Sequence, residues 1–194
     1  DNFLFSSSAG VYGYRIITPI PENHPKNPEN PYGESKLMVE KLMAWYQKTY
    51  KLNSVALRYF NAAGASIDGK LGEEHDPETH IIPNIMRAIL RRESFQLFGT
   101  DYDTKDGTCV RDYIHVIDLA EAHVLAIEKI KKDKGIFVYN VGTGNGYSNK
   151  EVLEMVKKIS GIDLKVDIAP RRPGDADELV ADVSKIKSEL GFSP

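Results

Sequence analysis

The sequence predicts an α/β fold: part of a doubly wound parallel sheet, joined to a smaller C-terminal α/β lobe. Three observations carry this. Short apolar runs at 2–6 and 54–59 read as strands covered on both faces. Between them, Pro31 to Tyr50 places Leu37, Val39, Leu42, Met43, Trp45 and Tyr46 at helical spacing behind a first-turn proline. Strand, helix, strand over this distance is a βαβ unit, and strand-like and helix-like stretches alternate to the end.

The elements follow in order. Phe3-Leu4-Phe5 runs directly into Ser6-Ser7-Ser8, so the chain opens inside a buried strand that needs partners on both sides. Residues 68–79 are polar and glycine-bearing, hence loop. A helix is predicted over 82–92 and a strand over 95–98. Asp118-Leu119-Ala120-Glu121 has the form of a capping box opening a helix to about Lys132. A strand is predicted over 136–141. Ser148-Asn149-Lys150-Glu151 caps a helix through Ile159, a strand covers 164–168, and a last helix 184–190. After it, Gly191-Phe192-Ser193-Pro194 adds no closing element, and the sequence reads as a piece cut at both ends. Gly142-Thr143-Gly144-Asn145-Gly146 imitates a dinucleotide-binding turn. The third glycine should come one position later, where Tyr147 stands, and the acid should end a second strand, whereas Asp163 precedes one. A tight turn is expected instead.

Composition excludes several function classes. A net charge of −3 offers nothing to nucleic acid or to an anionic membrane surface. No apolar run approaches the roughly 18 residues of a membrane span, and Asp1 to Phe5 lacks the basic start of a leader. The single cysteine, Cys109, sits between Thr108 and Val110 in strand-like surroundings, so it is expected in the core. One thiol suits a reducing, cytoplasmic setting. The five histidines show no metal-ligand spacing, and no metal is expected.

One pair carries chemistry. Tyr32 and Lys36 stand four apart at the start of the first helix and share a face. A phenol with a pKa near ~10 is a poor base at neutral pH. An ammonium within about 4–6 Å favours the phenolate, which can then take a hydroxyl proton. Among ten tyrosines such a spacing means little alone. The serine run adds weight, because it follows a parallel strand at its carboxyl end, where open α/β sheets place ligands.

Ser, Tyr and Lys in that order are the signature of short-chain dehydrogenases. Ser6-Ser7-Ser8-Ala9-Gly10-Val11-Tyr12-Gly13 and Pro31-Tyr32-Gly33-Glu34-Ser35-Lys36 resemble the extended branch that acts on nucleotide sugars. Leu57 to Ala65, Gly72 to His80, Gly99-Thr100-Asp101-Tyr102, Asp106-Gly107-Thr108, Arg111 to Val116 and Arg171-Arg172-Pro173-Gly174-Asp175 are most similar to its UDP-glucose 4-epimerases.

The resemblance implies a Rossmann-type sheet, NAD as cofactor, interconversion of UDP-glucose and UDP-galactose at C4, and a homodimer built on the first helix. It makes Tyr32 the acid/base and Ser8 its hydrogen-bonding helper. Lys36 would hold the nicotinamide ribose, and Phe60 would lie against the cofactor with Ser8 and Tyr32. Substrate contacts fall to Asn61, His80, Ile81, Phe98, Arg111, Arg172 and Asp175, and Leu179 would meet the sugar's C2 substituent. Residues 1–61 would belong to the cofactor lobe and 62–194 mainly to the substrate lobe, with a return to the sheet near 108–142. The family's Gly-rich turn and adenosine-binding acid fall outside this sequence. A related uronate or N-acetylhexosamine 4-epimerase is the nearest alternative. An inactive sugar-nucleotide-binding fragment is another. Dehydratases carry acids beside the serine position, where this sequence has Ala9-Gly10.

Overall fold

The computed structural model describes residues 1–194. Three parallel strands form the principal sheet in the order β1, β2, β6: β1 is Asn2–Ser8, β2 is Asn53–Tyr59 and β6 is Ile136–Val141. The central strand is buried along almost its whole length, as a strand with helices on both faces must be. Side chains alternate along it. Val55 and Leu57 join Ala122, Ala126, Ile130, Tyr139 and Ile186 in one core cluster, while Arg58 faces the other way, toward Glu40.

Helix α1 (Pro31–Tyr50) covers that second face and α3 (Val116–Lys132) the first. Asn30 caps α1 by accepting from Gly33 N at 2.9 Å, and Lys51 ends it in the left-handed region. The helix buries Gly33, Leu37 and Met43 and exposes Met38, Leu42, Trp45, Tyr46 and Tyr50. Its apolar residues thus exceed what one sheet face takes up.

A second sheet lies beyond the carboxyl ends of these strands. Here β3 (Asn61–Ala63) pairs in parallel with β5 (Val110–His115), which also pairs with β7 (Gly146–Ser148) antiparallel and β9 (Glu178–Leu179) parallel. Helix α2 (Ile81–Arg91) and α4 (Asn149–Ser160) pack with the two-stranded sheet of β4 (Phe95–Phe98) and β8 (Val166–Ala169) around Ile85, Ala88, Phe95 and Leu97. The last helix, α5, is Ser184–Leu190.

Some expectations need correction. Asp118 does not open α3; the helix begins at Val116, capped by His115 Nδ1 accepting from Ile117 N at 3.2 Å. Strand β5 runs straight into the helix, so Asp118 falls in its first turn. Strand β8 starts two residues later than the apolar pattern suggested. The short strands β3, β7 and β9 have three residues or fewer, too few for a period to be read. The capping box of α4 is present on both sides, between Ser148 and Glu151. Cys109 is buried just before β5.

The glycine loop after β6 is a turn, and its structure shows why. Asp112, fully buried on β5, accepts from Thr143 N (2.8 Å), Thr143 Oγ1 (2.9 Å), Gly144 N (3.0 Å) and Ala181 N (3.1 Å). A carboxylate from within the chain occupies the donors that a phosphate loop would present outward.

Candidate active site

The site forms where β1 and β2 end. Ser8 and Tyr59 are the last paired residues of the two strands. Ser8 turns into a short 3-10 segment (Ala9–Val11), and its Oγ caps that turn by accepting from Gly10 N at 3.0 Å. The first turn of α1 packs directly on it. A Cβ on Gly33 would stand 2.3 Å from Gly10 O, so only glycine lets helix and turn approach this closely. Tyr32 and Ser8 consequently line the same cavity, of about 650 Å³, together with Tyr59, Phe60, Asn61 and His80.

Lys36 lies one turn along α1. Its Nζ donates to Ser6 O at 3.0 Å and stands 5.3 Å from the Tyr32 ring centroid. The ammonium is therefore beside the phenol, as the four-residue spacing predicts. Tyr32 is 56% exposed, so its ring is open to a ligand in the cavity.

A network behind α1 holds this geometry. Arg58 on β2 makes two hydrogen bonds to Glu40 on α1, one to the Tyr12 hydroxyl and one to Glu22 O. Tyr12 donates to Asn140 on β6, and Ser7 donates to Glu40 at 2.6 Å. Burial pushes the Tyr12 hydroxyl up to about 12 despite the adjacent guanidinium, so it stays a neutral donor. Nothing in the sequence marks this network except the presence of polar residues in an apolar strand.

A second cavity, of about 560 Å³, shares Asn61, Gly64, Glu73 and His80 with the first and continues it. Arg111, Arg172, Asp175 and Ile81 line it. Arg111 Nη2 lies 3.8 Å from Asp175 Oδ1, and the Arg172 guanidinium stacks 4.0 Å above the Phe98 ring. Phe98 itself lines a small adjoining cavity beneath that arginine. Tyr113 also lines this half; its hydroxyl is buried without a partner, and burial pushes it up to about 12.

Of the residues singled out in the sequence, Lys36 stands beside Tyr32 without lining a cavity, and Leu179 stands off the cleft altogether. It pairs with Arg111 across β9 and β5, and it packs with Phe60 against the cluster of Ala9, Val11, Tyr12, Ile20 and Leu37. Sequence reading missed Tyr59, Tyr113, Glu73 and His75 as cleft residues. It also found no metal-ligand spacing, whereas the fold gathers Glu73, His75 and His80 at the cleft mouth. The loop joining them has no period, so their convergence was not visible.

A serine and a Tyr-x-x-x-Lys pair at the carboxyl end of a parallel sheet, with an arginine-bearing annex, define the class of extended short-chain dehydrogenase/reductases. The family model described as GDP-mannose 4,6 dehydratase matches residues 1–194, and the chain belongs to that family.

It is 53% identical over 192 residues to the UDP-glucose 4-epimerase of Lactobacillus helveticus, covering 98% of this chain and 58% of that protein. Its fold is similar to the crystal structure of UDP-glucose 4-epimerase from Brucella ovis in complex with NAD, with TM-score 0.93 and 49% identity over 98% of this chain and 59% of that one. The enzyme from Bifidobacterium longum in complex with NAD+ and UDP gives TM-score 0.92 and 43% identity over 99% and 58%. The chain spans about 58% of the length of the curated relatives it matches.

No helix is long and apolar enough to cross a membrane.

Proposed function

We propose that the protein interconverts UDP-glucose and UDP-galactose, with Tyr32 as acid/base at the sugar's C4 hydroxyl. One observation carries this reading: a continuous cleft has Ser8 and Tyr32 at one end and Arg111, Arg172 and Asp175 at the other. The first end suits proton transfer at a carbon bearing a hydroxyl; the second suits a nucleoside diphosphate.

Lys36 places its ammonium beside the Tyr32 ring, and Ser8 lies where it can share the proton of the reacting hydroxyl. Tyr32 takes that proton as C4 becomes a ketone and returns it to the C4 oxygen once the sugar has turned its other face. Arg111 and Arg172 offer planar donor forks to the diphosphate, so the nucleotide stays anchored while the sugar turns. Asn61, His80 and Ile81 line the passage between, and Asp175 would meet the ribose.

The residues present fit the nicotinamide end of NAD. Lys36 spends one of its three donors on Ser6 O, leaving two for ribose hydroxyls, and Phe60 offers an apolar edge beside Tyr32. NAD, when bound, accepts and returns the hydride of C4. We read 1–61 as the cofactor side and 62–194 as mainly the substrate side, with α3 and β6 returning to the principal sheet.

Leu179 would bear on a C2 substituent only indirectly, through the cluster that it and Phe60 both pack against. The exposed outer face of α1 is the surface on which two copies would pair, and a single buried thiol suits the cytoplasm.

The test is the full-length protein supplied with UDP-galactose and with UDP-glucose in separate reactions, the two sugars being resolved at equilibrium. Conversion in both directions is expected. Tight UDP binding without conversion would assign the chain to a binding module.

A further inference from the structure

The mouth of the cleft carries Glu73 and His75, which have no part in the sugar chemistry, next to His80 of the substrate passage. We propose that Glu73, His75 and His80 bind a divalent transition-metal ion of the zinc class. Glu73 Oε1 stands 3.2 Å from His75 Nε2 and 2.7 Å from His80 Nδ1, and donor atoms of all three residues lie within 4.8 Å of one another. A tetrahedral zinc site with bonds of about 2.0–2.1 Å holds its ligand atoms roughly 3.3 Å apart. These are exposed side chains at the protein surface, so shifts of about 1 Å would bring all three to bonding distance.

Two further observations point to a cation here. Glu78 stands beside His80, with its side chain only 1% exposed. Its Oε1 accepts from Thr79 N and His80 N and lies 3.0 Å from His80 Nδ1, a contact that a metal ion on that nitrogen would take over. Its Oε2 is buried with no hydrogen-bond partner, and Arg87 Nη2 comes no nearer than the 3.9 Å of a loose ion pair. A buried carboxylate oxygen so poorly matched gains from a positive charge close by. The segment from Glu73 to His80 also contains Glu73, Glu74, Asp76 and Glu78 and no lysine or arginine.

The donor set selects the ion. Calcium and magnesium prefer all-oxygen cages, whereas two imidazoles with one carboxylate suit zinc, cobalt or nickel. Three protein ligands leave a further position for water. Because His80 stands at the N-cap position of α2 and Glu73 belongs to the preceding loop, the ion would tie that loop to the start of the helix at the cleft mouth. His80 is shared with the substrate passage, so metal affinity is read directly and not through turnover.

The experiment uses untagged full-length protein stripped with a chelator, then titrated with Zn²⁺ alone by calorimetry and with Co²⁺ alone by visible absorption. One ion per chain is expected, with the cobalt band of a four- or five-coordinate site. His75→Ala and Glu73→Gln should each weaken binding by about 10-fold or more, and Glu74→Gln, a neighbouring exposed acid, should not change it. No saturable binding below about 1 mM would overturn the proposal. Binding that survives both His75→Ala and Glu73→Gln would overturn it equally, because the ion would then sit elsewhere.

Discussion

Glu40 on α1 and Arg58 on β2 form a two-bond ion pair between helix and sheet, at 2.8 Å from Nε and 2.5 Å from Nη2. Their side chains are 8% and 3% exposed. Glu40 lies one turn beyond Lys36 and two beyond Tyr32, so the pair sets where the reacting end of α1 rests on the sheet. Removing one partner of a buried pair leaves a charge without compensation, at a cost of about 3–5 kcal/mol. Arg58→Met should therefore lower stability by that order in urea unfolding, and Glu40→Leu/Arg58→Met should recover part of it. A single-variant loss under about 1 kcal/mol would show that the network is not structural.

Tyr32→Phe in the full-length protein should cut kcat by roughly 10²–10⁴-fold while sugar-nucleotide affinity stays within a few-fold. The ring and the arginines remain; only the proton acceptor is lost. Lys36→Met should weaken NAD binding as well as turnover, because its ammonium serves both ribose and phenol. Near-normal turnover in Tyr32→Phe would place the base elsewhere.

Gly33→Ala should damage the site without touching any side chain in it. The new Cβ would meet the Gly10 carbonyl oxygen at 2.3 Å, a backbone atom with little freedom to yield. Helix α1 must then back away from the turn that follows Ser8, and displacements of about 1 Å can cost 10²-fold in rate. Unchanged kcat with wild-type stability would disprove the close approach.

Leu179→Tyr should disfavour N-acetylated sugars relative to UDP-glucose, and Leu179→Ala should favour them. Because Leu179 acts through the cluster it shares with Phe60 and not from the cleft itself, the shift should fall at the lower end of the about 1–3 kcal/mol that pocket bulk is worth, roughly 10-fold in relative kcat/KM. A ratio that moves in neither variant would assign Leu179 to packing alone.

Asp106 predicts a pH dependence. Burial would raise its carboxyl pKa, but hydrogen bonds from Ser148 and Thr108 outweigh burial and hold it below the usual carboxylate range. The folded state thus binds this proton less readily than the unfolded chain. Its contribution to stability is present above about pH 4 and is lost as pH falls through the lowered folded value. In urea titrations, the stability gap between wild type and Asp106→Asn should be widest near neutrality and close in acid. A gap that stays constant from pH 7 to about pH 3 would contradict the assignment.

The sheet and its helices were legible because their signals are local. Pro31 to Tyr50 repeats its apolar residues over five turns, and Ser148 and Glu151 announce α4 at the expected spacing. Tyr32 and Lys36 were legible because one turn of helix brings them together. The cleft's remaining walls were not, since Tyr59, Tyr113 and Glu73 meet only through pairing between β3 and β5 and the path of a loop without period. Arg58 offered only its anomaly, a charge in a buried strand, and its partner Glu40 stands 18 residues away on a helix. Asp118 shows the opposite failure: a correct-looking motif overruled because the preceding strand had already entered the helix.

The loop from Gly142 to Gly146 is, in effect, an anion receptor whose guest is covalently attached. Four donors converge on the Asp112 carboxylate, one of them from Ala181 near the far end of the chain. A free phosphate would have to displace an anion that can never diffuse away, so the loop is indifferent to phosphate in solution. The same attachment makes Asp112 a clasp: one side chain on β5 fastens the turn after β6 to the segment that follows β9.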